Sequence, residues 1–250
     1  MSDSCVQLHV DNQVGYIEFF HPAHNSLPTN LINELVDSIV AVGNNETIKV
    51  VVLKSGGNRT FCAGASFQEL MNIDDEATGT QFFSGFANVI NTMRKCPKFI
   101  VGRVQGKAVG GGVGLAAATD YCMATKYASI KLSELSLGFG PFVIEPVVTR
   151  KLGVSSMSQL AMDSNNFYSA DWAKQNGLFT DVFYTTEALD EAVKIFAENL
   201  SNYNPEAMKQ MKSVFWKGTE HWDQLLIERA ATSGKLVLSE FTKETLKRFK

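Results

Sequence analysis

Apolar positions recur with two different periods along the first two thirds of the chain. Continuous or alternating apolar residues at 14–20, 49–54 and 99–104 predict β-strands. Apolar residues three and four apart at 28–42 and 81–95 predict amphipathic helices. Because strands and helices alternate, the pattern is typical of an α/β domain with parallel strand pairing.

The last third of the chain carries helical patterns. Helical spacing recurs over residues 146–152, 155–162, 170–175, 187–200, 205–216, 221–239 and 243–249. Shorter patterns upstream predict helices at 67–72 and 112–119 and a strand at 121–124. We expect the terminal helices to cap the α/β core or to build an interface.

Composition and charge exclude several classes of protein. Of the 250 residues, 45% are hydrophobic and 20% charged, with 23 basic and 26 acidic side chains and a net charge of −3. The chain lacks the basic stripe of a nucleic-acid binder, and no apolar run approaches the ~20 residues of a membrane span. The first residues do not read as a secretory signal, and the four cysteines are far apart. We expect a cytoplasmic protein with reduced thiols, no metal, and no nucleic-acid or membrane partner.

Two loops of small residues each follow a predicted strand and lead into a predicted helix. The first covers residues 61–65, and Ser66 and Glu69 behind it have the spacing of a capping box. The second, residues 109–114, reads Val-Gly-Gly-Gly-Val-Gly. Two helix starts could direct free N–H groups at one developing negative oxygen, and each such donor is typically worth about 3 kcal/mol. Equally, both loops could be only tight strand-to-helix turns.

The second glycine loop also permits a different interpretation. Gly112, Gly114 and Ala117 fit G-x-G-x-x-A, and Glu134 follows about twenty residues later, as in a dinucleotide fingerprint. A nicotinamide-binding oxidoreductase is therefore an alternative hypothesis. We find no phosphate-binding G-x-x-x-x-G-K-[ST] motif in the sequence.

One acidic residue interrupts an apolar alternation at 129–135. If this segment is extended, Ile130, Leu132 and Glu134 share one face of a strand. Burial without a cation would raise the pKa of the Glu134 carboxyl toward the range useful for proton transfer. Alternatively, the strand ends at Ser133 and the carboxyl meets water.

Together these segments resemble the enoyl-CoA hydratase/isomerase (crotonase) superfamily. The resemblance begins at residues 24–27, similar to the family's Asn-Ala-Leu segment, and continues through 61–70 and 106–120. It extends over 133–141 and ends at 169–178, where SADWAKQNGL is similar to the family's S-A-x-x-A-x-x-x-G-L. It implies an acyl-CoA thioester substrate and no metal or redox cofactor, because coenzyme A is part of the substrate.

The resemblance also implies an architecture and an assembly. We expect a crotonase-like spiral of β-β-α units over residues 1–195, carrying the CoA-thioester site. Residues 196–250 are then a C-terminal helical region used in trimerisation, and the protein is a homotrimer or a hexamer of paired trimers.

The family's site residues carry over to positions in this sequence. Its oxyanion-hole amides match Ala65 and Gly111, and its acid/base matches Glu134. The substrate-binding positions implied are Gly64, Ala65, Ser66, Phe67, Gln68, Gly111 and Gly112. Ser66 replaces a frequent Asp, and Gln68 replaces a frequent Lys that would contact a phosphate.

A missing acid leaves the reaction open. The first Glu of the family's two-glutamate hydratases matches Gly114, which has no side chain. A single Glu suits a double-bond shift, in which one carboxylate moves a proton between C2 and C4 of an enolate-stabilised acyl chain. Hydration, another thioester reaction of this fold, and a CoA-thioester-binding protein with weak or no catalysis remain alternatives. Phe82, Phe83 and Phe86 are either acyl-pocket walls or ordinary core aromatics.

Overall fold

The computed structural model describes residues 4–248, which form ten strands and eleven helices. The strands are β1 (Cys5–Asp11), β2 (Val14–Phe20), β3 (Val50–Ser55), β4 (Thr60–Cys62), β5 (Phe99–Val104), β6 (Lys107–Val109), β7 (Tyr121–Thr125), β8 (Ser129–Lys131), β9 (Tyr168–Ser169) and β10 (Asp181–Phe183). The helices are α1 (Thr29–Asn44), α2 (Phe67–Met71), α3 (Glu76–Lys95), α4 (Gly111–Ala118), α5 (Glu134–Leu137), α6 (Glu145–Met162), α7 (Ala170–Gln175), α8 (Thr186–Ser201), α9 (Pro205–Phe215), α10 (Trp222–Leu236) and α11 (Glu240–Lys247).

The strands form two sheets, and successive β-β-α units of the chain contribute one strand to each sheet. The six-stranded sheet has the order β1-β2-β3-β5-β7-β10 and is parallel except for the β1–β2 pair. The four-stranded sheet has the order β4-β6-β8-β9. Each unit β3-β4-α2, β5-β6-α4 and β7-β8-α5 gives its first strand to the large sheet and its second to the small one. The predicted α/β spiral of β-β-α units with a helical C-terminal region is confirmed.

Most predicted elements agree with the observed ones to within a few residues. The strands predicted at 14–20 and 99–104 and the helix at 170–175 have the observed bounds. Helix α3 begins five residues earlier than predicted, at Glu76, because Asp75 caps it by accepting a hydrogen bond of 2.8 Å from Thr78 N–H.

The segment at 129–135 is not a continuous strand, so of the two alternatives for Glu134 the extended strand face is wrong. β8 ends at Lys131, and Glu134 is the first residue of the short helix α5. The partner strand β9 pairs only with Ser129 and Ile130, so nothing extends the ladder further. Gly138, with φ 103°, closes the helical turn in a left-handed conformation that suits glycine. Glu134 therefore does not share a strand face with Ile130.

The main hydrophobic core lies between the large sheet and the helices α1, α3 and α4. Helix α8 covers the opposite face of the sheet, where Leu189 and Val193 pack against Val52 and Val101. The expected boundary between residues 195 and 196 falls within α8 and stays a prediction. None of the helices within residues 4–248 has the length and apolarity needed to cross a membrane.

Candidate active site

The first small-residue loop is held by a backbone bridge to the segment before α1. Leu27 N–H donates to Gly64 O at 2.8 Å, and Ser66 N–H donates to Leu27 O at 3.1 Å. Because successive peptide groups of an extended chain face opposite ways, the N–H of Ala65 points away from Leu27. Gly64 has φ +89°, and a Cβ there would lie 3.0 Å from Val109 O. The two glycine loops therefore touch at Gly64.

The second loop depends on three glycines that pack against the protein. Gly110 has φ +53°, and a Cβ there would lie 2.7 Å from Oε1 of Glu134. A Cβ at Gly111 would lie 2.3 Å from the Phe86 ring, and one at Gly112 the same distance from a backbone oxygen of β4. Gly112 lies inside α4 rather than in a loop, so this geometry does not support the dinucleotide alternative.

The N–H groups of Ala65 and Gly111 are free donors at the same cavity. Gly111 is the first residue of α4, where a helix supplies no acceptor to the N–H group. In residues 4–248 neither N–H donates a hydrogen bond, and both residues line the cavity. Two such donors are the arrangement that stabilises a developing oxyanion.

The cavity between the loops and the helices α3, α5 and α10 measures about 760 Å³, counted to its open mouth. Its walls are largely apolar and include Phe82, Phe83 and Phe86 of α3, so these residues do line a pocket. The ring centroids of Phe83 and Phe139 lie 5.3 Å apart, and those of Phe82 and Phe83 lie 5.1 Å apart. Such a cavity suits an apolar chain.

Glu134 places its carboxyl group in this apolar cavity. Its Oε2 atom is buried and has no hydrogen-bond partner within the described part of the chain. Burial raises the pKa of Glu134 to about 7, against the opposing effect of the Ser133 and Glu134 N–H groups. Among the described residues that line the cavity, it is the only one with a titratable side chain. A carboxyl group with this pKa can both accept and return a proton near neutral pH.

At Gly114, where the family's two-glutamate hydratases carry their first Glu, an apolar side chain fills the space. A Cβ at Gly114 would lie 2.5 Å from Cγ2 of Ile144, which also lines the cavity. Ile144 is buried with 3% of its surface exposed. A side chain at position 114 would therefore have to displace Ile144.

The remaining predicted substrate-binding positions divide into two groups. Phe67 and Gly64 line the cavity, whereas Ser66, Gln68 and Gly112 are not among its lining residues. Ser66 accepts a hydrogen bond from Glu69 N–H at 3.3 Å, which confirms the predicted helix start. The Glu69 carboxylate, however, binds elsewhere, so only half of the capping box forms.

Several lining residues were not predicted. Phe139, Phe142 and Ile144 follow Glu134 in the chain, and Ser233 comes from α10, far away in sequence. Their only local signal is an apolar cluster after Gly138, which does not distinguish a pocket wall from a core. Ser233 has no signal of its own, because the packing of α10 on α3 brings it to the cavity.

The thiols and the metal-ligating residue types do not add to this site. Burial raises the pKa of Cys62 to about 12 and that of Cys122 to about 11, so both stay protonated at neutral pH. Within residues 4–248, no three His, Cys, Asp or Glu side chains come together in a group that could hold a metal ion.

Curated relatives match this chain over most of its length. A short-chain-enoyl-CoA hydratase of Clostridium acetobutylicum is 26% identical, over 98% of this chain and 94% of its own. The peroxisomal Delta(3,5)-Delta(2,4)-dienoyl-CoA isomerase of Arabidopsis thaliana is 24% identical, over 86% of this chain and 81% of its own. The relatives thus include both a hydratase and an isomerase.

Solved structures share the fold. An enoyl-CoA hydratase from Bacillus halodurans superposes with a TM-score of 0.90 at 21% identity, covering 97% of this chain and 99% of that one. A putative polyketide biosynthesis enoyl-CoA hydratase (pksH) from Bacillus subtilis has a TM-score of 0.85 at 22% identity, covering 100% and 97%. The model of the enoyl-CoA hydratase/isomerase family matches residues 9–249. With this match across nearly the whole sequence, the chain belongs to the enoyl-CoA hydratase/isomerase family.

Proposed function

We propose that this protein is an enoyl-CoA isomerase, in which one carboxyl group moves a proton along the acyl chain. The proposal rests on one observation: Glu134 is the single acid of the cavity lining described, and an apolar side chain occupies the place of a second acid. Among the described residues, the cavity presents a single titratable side chain, with a pKa of about 7, and Ile144 occupies the space beside Gly114. A proton shift needs one group that both takes and returns a proton, whereas splitting water is easier with two.

The reaction follows from the position of the donors. The thioester oxygen of a 3-enoyl-CoA accepts hydrogen bonds from the N–H groups of Ala65 and Gly111. The Glu134 carboxylate takes a proton from C2, and the electron pair moves into a dienolate whose negative charge rests on that oxygen. The protonated Glu134 then returns the proton to C4, and the double bond lies between C2 and C3. Because charge grows on oxygen only in the transition state, the two donors raise the rate as well as the affinity.

Hydration is the second candidate, and Ser133 is the observation in its favour. Ser133 lines the cavity and directly precedes Glu134. Its hydroxyl group could help Glu134 to hold a water molecule against C3 of a 2-enoyl thioester. Family members are named for both reactions.

The two candidates are separated by ultraviolet assays on a 2-enoyl-CoA and a 3-enoyl-CoA. A rise in conjugated-thioester absorbance from the 3-enoyl substrate, without loss from the 2-enoyl substrate, is the expected result. Loss of absorbance from the 2-enoyl substrate would establish hydration instead. No change with either, combined with retained binding of an acyl-CoA, would favour the binding protein or another thioester reaction.

We also infer that residues 196–250 form contacts between copies of the chain in a trimer, with or without pairing into a hexamer. The C-terminal helices expose large apolar side chains, among them Val214 at 61% and Phe241 at 65%. Exposed apolar surface of this kind is typical of protein interfaces. Light scattering on the purified protein should give the mass of three or six chains, and the mass of one chain would contradict the inference.

A further inference from the structure

The side chain of a buried serine lines the cavity at the end away from the glycine loops. Ser233 of α10 has 1% of its surface exposed, and it lines the cavity. Its Oγ makes no hydrogen bond with any of the residues 4–248. Other helical hydroxyl groups bond back to a carbonyl one turn earlier, as Ser84 does to Thr80 O at 2.7 Å and Thr232 to Glu228 O at 3.1 Å. Ser233 makes no such bond, and its residue lines the cavity.

Close packing of two helices holds the serine in place. A Cβ at Gly79 of α3 would lie 2.8 Å from the Gly234 Cα, so the backbones of α3 and α10 touch here. Ser233 precedes this contact directly, so the close packing of the two backbones fixes the position of its Cα at the cavity wall.

The position along α3 indicates which part of a substrate reaches Ser233. Phe86 packs against Gly111 at the oxyanion end, and Gly79 packs against Gly234 at the other. Seven residues of helix separate them, a rise on the order of 10 Å. Ser233 therefore meets the distal part of an acyl chain whose thioester oxygen is bound by Gly111.

The charge of the cavity limits the chemistry of that distal part. The lining residues within the described chain include no Lys, Arg or His. A carboxylate buried here would have no counterion, and its desolvation would oppose binding. A neutral hydroxyl or carbonyl group, in contrast, can pair with the Ser233 hydroxyl, which both donates and accepts.

We propose that Ser233 is a specificity-determining residue that binds a neutral oxygen on the distal acyl chain, so that the preferred substrate is a hydroxylated or oxo-substituted acyl thioester. This inference rests on the proposed function only in that the cavity takes an acyl thioester. An unsubstituted chain would bury the Ser233 hydroxyl against hydrocarbon without a partner, which disfavours that chain.

Binding of saturated acyl-CoA probes tests the proposal without turnover. Acyl-CoAs of six, eight and ten carbons with a terminal hydroxyl are compared by calorimetry with their unsubstituted counterparts, on the wild type and on Ser233→Ala. At the matching length, we expect the substitution to shift the ratio of the two dissociation constants by about tenfold against the hydroxylated probe. Thr232→Ala, which removes an exposed hydroxyl group one residue away, should leave the ratio unchanged.

The outcomes separate this inference from the proposed reaction. An unchanged ratio in Ser233→Ala at every length, or no binding of any probe, would overturn the role of Ser233. The expected shift without any turnover of enoyl-CoAs would retain that role and refute the isomerase.

Thermal unfolding excludes a purely structural role. Since Ala has a higher helix propensity than Ser, we expect Ser233→Ala to raise Tm by about 1–2 °C. A lower Tm would show that the hydroxyl group stabilises the fold and would contradict the assignment.

Discussion

At the scale of single residues, the carboxyl group of Glu134 combines a high pKa with an apolar surrounding. If it acts as the base, its ionised form carries the activity. We expect kcat/KM for a 3-enoyl-CoA to rise with pH and to level off above an apparent pKa of about 7. Glu134→Gln should lower kcat by about 10²–10⁴-fold and keep acyl-CoA binding. A profile that is flat between pH 5 and pH 9 would argue against this role.

The same pKa shift has a cost in stability that depends on pH. The pKa rises from 4.5 to about 7 on folding, so between these values the folded protein holds a proton that the unfolded chain releases. Stability from this group therefore falls as pH rises through this window and stays lower above pH 7, by up to about 3 kcal/mol. Glu134→Gln removes the effect. Urea denaturation at pH 5 and pH 8 should show the variant gaining relative to the wild type at the higher pH, and a constant difference would contradict the shift.

The site could be predicted at residue scale only in part. Gly64 and Glu134 stand out because a glycine loop and an acid among apolar residues are visible locally, whereas Gly111 as an oxyanion donor comes from the family resemblance, and their roles stay predictions. Burial without a cation is the predicted cause of the raised pKa of Glu134 and is also the observed one, but the strand face is wrong, because Glu134 begins a helix and its carboxyl lies beside Gly110. Ser233 was missed because only tertiary packing brings it to the cavity.

At the scale of elements, the N-terminus of α1 is capped by a side chain of α2. Pro28 precedes α1 and offers no side-chain cap. The Glu69 carboxylate of α2 instead accepts hydrogen bonds from Thr29 N–H at 3.0 Å and Thr29 Oγ1 at 2.8 Å. We expect Glu69→Ala to lower the free energy of unfolding by about 1 kcal/mol, as loss of a cap does. Exposed Glu34→Ala is the control, and equal effects of the two in urea denaturation would refute the capping role.

Two glycines of α3 should respond differently to the same change. Gly79→Ala would push a Cβ into the Gly234 backbone at 2.8 Å, whereas Gly85→Ala would meet the Ile32 side chain, at 3.1 Å from Cδ1 and 3.2 Å from Cγ2. Both variants gain helix propensity, so the difference between their free energies of unfolding reports the contact between α3 and α10. We expect Gly79→Ala to destabilise by about 1–3 kcal/mol and Gly85→Ala to be near neutral. Similar unfolding curves for both variants would contradict the tight crossing.

Sequence patterns missed the seven-residue β1, whose residues are mostly exposed, and several very short elements. β4 and β6 have three residues each, too few to show alternation, yet they carry the chain from the large sheet to the two glycine loops. The helices were found because their apolar faces repeat over several turns and because Ser66 and Ser169 cap them.

At the scale of the whole molecule, a buried ion pair ties the C-terminal helices to the large sheet. Lys212 of α9 lies 2.9 Å from the Asp120 carboxylate, with side-chain exposures of 3% and 6%. The same carboxylate accepts hydrogen bonds from Trp216 Nε1 and Ile100 N–H, both at 2.8 Å. One acid before β7 therefore fixes where α9 docks, and with it the helices that follow.

Removing one partner of this pair leaves a buried charge without its cation. We expect Lys212→Met to lower the free energy of unfolding by about 3–5 kcal/mol, while exposed Lys209→Met changes it little. Adding Asp120→Asn should recover part of the loss, because the charge that lacks a partner is then also gone. Chemical denaturation of the wild type, Lys212→Met, Asp120→Asn and the double variant measures the coupling energy between the two side chains. If the double variant is as unstable as the sum of the single ones, the two side chains act independently and the C-terminal helices are held by apolar packing alone.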